Sequence, residues 1–483
     1  MPLYLDLLGG ELFGIFGFFL LLQSWFVILD AGLTPTFSRQ VAFIKGNNSE
    51  MPGIKQLTRN FEIVFVVTAF LIFLLIFNSN SFLSINWIKA EQTSQDIIST
   101  AIFVMSLMIP LRWMTGLYRS GILGFEDQVW LNKASMIFIS LRMIGGLLFL
   151  IFFEKNIIHL LIIHLLFFAL ELIFFAIRFY LSLPKNQLKI SASFFEWNYF
   201  IKLIPFSLSI GYTTILWVLV SQFDKLILSG ILKLEQFGYF TMLIMITNGV
   251  MLMSAPISAA ILPRMTNYVA KEKYEKLKNL YSTSSQLVVL IITSLAATLI
   301  FFGDEILYIW TRNEAATEWI GSVMPLFVLS SAVLSLAAFS YYLQTAYGSL
   351  KLHVIGETIS AGLFLPIIYF SAMNFGVMGV GLAMLIFRFF WFMVWTPVVH
   401  KKFLNDFHLA WLFQKIIPTC FSTIIISSLL KISLFTGAFE STFLALSQIT
   451  IFLALTLTLS ALLIKEFRKF IVSNVSNLFQ KIT

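Results

Sequence analysis

Cysteine is nearly missing from this chain. Cys420 stands alone among 483 residues, so no disulfide can close within the chain and no cysteine cluster can hold a metal. Charge is scarce too: Asp, Glu, Lys and Arg make up 12% of residues, against roughly 25% in an ordinary soluble domain. Histidine occurs five times, scattered. No H-E-x-x-H pair and no G-x-x-x-x-G-K-[ST] loop occurs, which leaves metal-dependent hydrolysis and direct ATP drive without a foothold. No polar stretch is long enough to make a folded ectodomain or nucleotide-binding domain. What is present is apolar: 59% of residues are hydrophobic, 53 of them Phe, and mean hydropathy is +0.89. At about 20 residues per bilayer crossing, that stock suffices for about 14 spans. A soluble enzyme is excluded. The net charge of +8 is then a topology signal, and no nucleic-acid partner is expected.

Hydropathy predicts spans near 11–34, 60–78, 97–118, 134–153, 157–182, 199–231, 236–262, 281–303, 320–347, 353–374, 377–400, 411–431 and 442–464. Ahead of them Met1–Leu8 runs at once into Gly9-Gly10-Glu11, too short to cross. It has neither the basic start nor the small-residue cleavage site of a signal peptide, and we read it as the end of a truncated helix 1. The basic residues test this map. Segments on one side, including Lys185, Lys189, Lys271 through Lys278, Lys401 and Lys402, hold 24 of the 32 Lys and Arg. The other side holds six: Lys89, Lys155, Lys225, Lys233, Arg312 and Lys431. Arg142 and Arg388 fall inside spans. Basic loops stay in the cytoplasm, so the expected protein is multi-pass with both termini cytoplasmic.

The chain also repeats itself. Glu11-Leu12-Phe13-Gly14-Ile15-Phe16 is similar to Glu235-Gln236-Phe237-Gly238-Tyr239-Phe240, and Ser38-Arg39 recurs as Pro263-Arg264 at almost the same offset, each read as closing a helix at the cytoplasmic face. Basic loops follow both. Six spans separate the copies, so both keep one orientation, which predicts two six-helix lobes related by a pseudo-two-fold axis along the membrane normal, with a path between them. The expected division is an N-lobe over 1–182, a C-lobe over 199–400, two appended helices over 411–464 and a cytoplasmic tail over 465–483.

The run Leu8-Gly9-Gly10-Glu11-Leu12-Phe13-Gly14, then Gln23-Ser24-Trp25, Leu29-Asp30-Ala31-Gly32-Leu33-Thr34-Pro35 and Ser38-Arg39-Gln40 resembles the opening of Wzx-type polysaccharide flippases, of the multidrug/oligosaccharidyl-lipid/polysaccharide exporter superfamily. Gly116-Leu117-Tyr118-Arg119-Ser120-Gly121 through Gln128 and the pair Asp224-Lys225 are similar to further segments of that family. The resemblance implies an all-α, MATE-like membrane fold in the cell inner membrane. The implied activity moves an undecaprenyl-diphosphate-linked oligosaccharide (an O-antigen type of repeat unit) from the cytoplasmic to the periplasmic leaflet. The expected associates are the lipid-linked oligosaccharide, the bilayer, a polysaccharide polymerase and a chain-length regulator.

Such a cargo sets physical demands. Each unpaired hydroxyl costs roughly 2–7 kcal/mol to bring into hydrocarbon, and an ionised diphosphate far more. The chain must therefore offer a wet cleft with cations at membrane depth. Arginine suits phosphate because its planar fork binds two oxygens and keeps its proton. Arg142 and Arg388 are the candidates for the diphosphate, since an ionisable residue inside a span is a functional hypothesis by default; the competing reading is that an acid such as Glu171 or Glu357 pairs with each and only fixes packing. Arg39, Arg112, Arg119, Arg178 and Arg264, read as lying at inner helix ends, would form a phosphate-collecting rim or simply snorkel. With no ATP site, coupling would fall to an H+ or Na+ gradient acting on a carboxylate: Glu171 first, then Asp224, Asp30 and Glu357, unless salt bridges to Arg142 or Lys225 occupy them. No cofactor, metal site or catalytic residue is expected. The alternatives are a lipid II flippase, a multidrug or cation exporter of the same superfamily and, further off, a membrane polysaccharide polymerase or glycosyltransferase.

Overall fold

The computed structural model describes residues 2–46, 53–183, 197–435, 441–465 and 467–468. Lys185, Lys189, Glu440 and most of the 465–483 tail lie outside the described residues. A backbone in lipid must satisfy its own polar groups, and a helix does so within one segment. The described chain is accordingly helical, with 12 helices long and apolar enough to cross a membrane. It divides into two compact units, Met1–Gly238 and Tyr239–Thr483.

Unit one comprises α1 (Pro2–Leu8), α2 (Gly10–Phe26), α3 (Leu33–Gly46), α4 (Ile54–Phe82), α5 (Gln95–Gly124), α6 (Gln128–Phe152), α7 (Ile157–Leu181), α8 (Trp197–Ile231) and the start of α9 (Leu234–Leu252). A Phe-rich core of Phe37, Phe61, Phe65, Phe175 and Phe179 joins α3, α4 and α7. Between α2 and α3 the chain turns at Ala31 and Gly32, both at positive φ.

Unit two holds the rest of α9, then α10 (Ala255–Ala270), α11 (Tyr274–Phe301), the short α12 (Gly303–Thr311), α13 (Glu314–Ala346) and α14 (Lys351–Phe403). After these, α15 (His408–Trp411), a π-helical turn over Leu412–Ile416 and α16 (Ile417–Leu434) form one rod, followed by α17 (Thr442–Leu463). At 1.5 Å per residue, the 53 residues of α14 would reach about 80 Å, more than twice the ~30 Å hydrocarbon thickness. The helix breaks at Gly376, with φ 58° and ψ −145°, a region open essentially to glycine. Counting α14 as two segments matches the thirteen spans read from hydropathy.

The repeat has a structural counterpart. In the first copy helices of 17, 14 and 29 residues follow one another, α2, α3 and α4; in the second, 19, 16 and 28, α9, α10 and α11. Both copies break between their first and second helices. The expectation that Ser38-Arg39 and Pro263-Arg264 close helices is corrected, because α3 runs on to Gly46 and α10 to Ala270. Neither stretch after the arginine contains a proline or an internal glycine to stop it.

The two copies also meet within unit one. A Cβ on Gly14 would collide with the Leu234 carbonyl, and one on Gly238 would lie 2.8 Å from the Gly10 carbonyl oxygen. Helices approach this closely only where side chains are missing. The Glu-x-Phe-Gly signature marks that crossing.

Candidate functional site: three arginines on one buried glutamate

Helix spacing assembles the site. Arg112 and Arg119 are seven residues apart on α5 and so share a face, as do Phe168, Glu171 and Phe175 on α7. These faces meet, and α6 supplies Arg142. The Glu171 carboxylate, 1% exposed, accepts from Arg112 Nη1 at 2.9 Å, Arg119 Nη1 at 3.5 Å and Arg142 Nη1 at 3.2 Å. Aromatic rings brace the guanidinium groups: Arg142 lies 4.2 Å from the Phe168 ring centre, Arg112 5.9 Å from the same ring, and Arg119 5.4 Å from Phe175. Three cations around one anion leave two surplus positive charges. The Arg142 side chain is 9% exposed, whereas those of Arg112 and Arg119 are 27% and 28% exposed. Arg142 is therefore the buried anchor, and Arg112 and Arg119 present the open face.

This geometry corrects one expectation. Arg112 is the eighteenth of the 30 residues of α5, well inside the helix, because α5 continues without interruption through Pro110 to Gly124. Arg119 lies five residues before that end. Arg178 does sit in the last turn of α7, where Asp127 holds it at 2.5 Å. Arg39 stacks 4.6 Å from the Phe206 ring centre, and Arg264 is exposed on α10.

The remaining acids are each engaged locally. Asp30 caps α3, accepting from the Thr34 N–H at 3.2 Å and its hydroxyl at 2.8 Å. Asp224, buried on α8, pairs with Lys225 at 3.4 Å. Glu357 lies 3.9 Å from His353. In unit two, Arg388 is half-buried twelve residues beyond the Gly376 break and donates to Ser330 Oγ at 3.1 Å. His164, beside Glu171 in sequence, does not bond to it: both ring nitrogens are buried without a hydrogen-bond partner, and the ring stands edge-on to Phe16.

Two features went unnoticed in the sequence. Tyr118 and Tyr180 both donate to Glu62, at 2.8 and 2.5 Å. At the other end of unit one, the Glu11 carboxylate accepts three consecutive backbone N–H groups, from Glu91 at 2.6 Å, Gln92 at 3.0 Å and Thr93 at 2.7 Å. Beside them Lys233 pairs with Glu91 at 2.7 Å, and that carboxylate pushes the exposed lysine's pKa up. Glu11 was visible as part of the repeat, but its partners lie 80 residues on.

Among the described residues no group of three or more His, Cys, Asp or Glu converges as a metal site. A hollow of about 1070 Å³ in unit two is lined by Asp304, Glu305, Glu314 and Glu318, the wrong sign for a phosphate.

No family model matches the chain. A protein of Shigella flexneri described as "Putative O-antigen transporter" is 21% identical over 376 residues, covering 78% of this chain and 87% of its own. Among solved structures, the lipid II flippase MurJ in an inward closed conformation aligns with a TM-score of 0.65 at 15% identity, covering 96% of this chain and 98% of its own. An inward-facing multidrug resistance MATE family transporter of the MOP superfamily aligns at 0.69 and 14% identity, covering 83% and 92%. The chain is a multi-pass, all-helical membrane protein with the fold shared by MurJ and the MATE transporters, and its sequence is similar to that of the Shigella flexneri protein, in line with the resemblance read from residues 8–40.

Proposed function

We propose that the chain is a flippase that moves an undecaprenyl-diphosphate-linked oligosaccharide from the cytoplasmic to the periplasmic leaflet by alternating access. The single observation that carries this reading is the surplus of two positive charges around Glu171. A diphosphate diester is doubly negative at neutral pH and would neutralise that surplus. Arg112 and Arg119 would take the diphosphate on their open faces while Arg142 holds the cluster's geometry; Arg388, in unit two, is a separate candidate for the diphosphate. The sequence relative and the shared fold support a transporter of this kind. No covalent chemistry is required of the protein, because the cargo leaves as it arrived.

Glu171 is in this reading an internal counter-ion. While ionised it sets the surplus at two, the charge of the diphosphate; H+ or Na+ arriving there would raise the surplus to three and tighten the cluster's hold on the cargo. An ion gradient could then set the direction of flipping. Asp224, Asp30 and Glu357 remain secondary candidates, each with a local partner to displace. The inner membrane, cytoplasmic termini, lobe limits at 1–182 and 199–400, and association with a polysaccharide polymerase and chain-length regulator belong to the same proposal.

The test is complementation of a flippase-null strain with Arg112→Gln, Arg119→Gln and Arg388→Gln variants, scored for surface polysaccharide and for protein in the membrane. Because these side chains are partly exposed, each variant should insert normally. Export by the Arg112→Gln/Arg119→Gln pair should fall at least ~10-fold, the loss of one charge-assisted contact of about 1.5–3 kcal/mol. Near-normal export by the pair refutes the site. Export that survives collapse of both proton and sodium gradients removes the coupling. The alignment with MurJ over nearly the whole chain favours a second reading, a lipid II flippase, which rescue of a strain depleted of that activity would establish instead.

A further inference from the structure

Buried polar side-chain atoms that find no hydrogen-bond partner are unevenly spread. Of thirteen among the described residues, five lie on α11, α16 and α17 of unit two: Gln286 Oε1, Ser294 Oγ, Thr423 Oγ1, Thr456 Oγ1 and Ser460 Oγ. None of these five residues is more than 4% exposed. Neighbours on the same helices satisfy themselves one turn back. Thr298 donates to the Ser294 carbonyl at 2.8 Å, Ser427 to that of Ile424 at 2.9 Å and Thr458 to that of Ala454 at 2.8 Å. That bond is open to serine and threonine in a helix, yet the four unmatched hydroxyls do not make it. A buried polar atom left unmet costs more than a made hydrogen bond returns, so five of them in one place call for a polar guest.

Helix contacts put them in one seam. Gln286 donates to Thr419 Oγ1 at 2.9 Å, Thr293 meets Cys420 Sγ at 3.6 Å, and Leu290 packs with Ala461 and Ile464. Gln286, Leu290 and Ser294 follow at four-residue steps on α11, as do Thr419 and Thr423 on α16 and Thr456 and Ser460 on α17, so each set shares a face. At 1.5 Å per residue, Gln286 and Ser294 are about 12 Å apart along α11, too far for one ion to serve both. Each four-residue step is about 6 Å, close to the ~5.5 Å that two O–H···O bonds through one water span. Water also donates and accepts, so it meets the unmatched end of Gln286 whichever way the amide is turned. Room for it starts at a hollow of about 310 Å³ lined by Gln286, Thr419, Ser422 and Leu463, well above the ~30 Å³ share of a water in the liquid. In the other direction, Phe302, Phe435 and Phe452 pack with Leu430, and Phe452 is one turn of α17 from Thr456. We propose that α11, α16 and α17 enclose a hydrated half-channel, a file of resident water molecules that runs from this hollow to Ser294 and Thr456 and stops at the phenylalanines. Buried water characteristically serves such unmatched groups. The seam uses no residue of the arginine cluster, so it stands or falls independently of the proposed transport.

Radiolytic hydroxyl-radical footprinting of the full chain in detergent tests it, because radicals made from bound water oxidise the side chains beside that water. Two buried leucines serve as probe and control: Leu290 in the seam, 3% exposed, and Leu307 on α12, 0% exposed. The expected result is several-fold faster oxidation of Leu290 in the wild type, a measurement that needs no variant. Thr423→Val/Thr456→Val keeps both side-chain shapes and removes two hydroxyls; it should bring the two rates together and lower the melting temperature, with helicity by circular dichroism unchanged at room temperature. Equal oxidation of the two leucines in the wild type overturns the proposal. So does a higher melting temperature in the variant, the mark of a dry seam relieved of unmet hydroxyls. A wild-type melting temperature that rises in NaCl over equimolar choline chloride, with no such rise in the variant, also overturns it and assigns the seam to Na+.

Discussion

Replacing Glu171 with Gln removes the one negative charge that three guanidinium groups share. The cost can be worked from their exposures. Arg142 is buried, and stranding one partner of a buried ion pair costs about 3–5 kcal/mol. Arg112 and Arg119 keep more than a quarter of their surface open, so solvent screens them and each loses only about 0–1 kcal/mol. The glutamine oxygen still accepts one hydrogen bond, which offsets about 1 kcal/mol. The net loss is about 2–6 kcal/mol. Such a loss lowers the melting temperature by roughly 4–24 °C in a domain of unit one's size, measurable by circular dichroism on detergent-purified protein. The second arm of the experiment removes the stranded cation. Glu171→Gln/Arg142→Gln should recover to within about 1 kcal/mol of the better single variant, because neighbours in one ion-pair network are not additive. If Glu171→Gln melts with the wild type, or if the two substitutions simply add, the cluster does not hold unit one together as its geometry implies.

Two further expectations concern the backbone. Gly14→Val would drive a branched side chain into the Leu234 carbonyl and separate α2 from the start of α9; the variant should be lost from the membrane fraction, while substitution of the exposed Leu3 should not be. At Gly376, nothing lies within 4 Å of the position a methyl group would take, so crowding is not the obstacle. The φ of 58° is. Gly376→Ala should destabilise by about 1–3 kcal/mol, read as a lower melting temperature, and an equally stable variant would show that the break in α14 does not depend on glycine.

Much of this architecture was legible from residues alone, because lipid is an undiscriminating solvent that responds to local composition. Thirteen apolar runs became thirteen helical segments, and even the interruption between residues 374 and 377 was readable, since no single helix of that length suits a bilayer. The Glu-x-Phe-Gly repeat was equally plain. Its meaning was not. That Gly14 and Gly238 lie against each other depends on how α2 crosses the start of α9, which no local pattern encodes. The site divides in the same way. The seven-residue spacing of Arg112 and Arg119 shows that they share a face, yet the early end assigned to their helix concealed Arg112's depth. Glu11 and Glu62 each meet partners on other segments, and neither periodicity nor composition reveals those partners.

Hydrophobicity by itself determined that this chain crosses a membrane many times and carries a few arginines at depth, because the free energy of placing a residue in hydrocarbon depends on that residue and its near neighbours. Only the tertiary structure decided that three of those arginines converge on Glu171 and that two of them keep an open face. Their charges are brought within hydrogen-bonding reach by the mutual packing of α5, α6 and α7, and electrostatic energy follows distance in space, not separation along the chain.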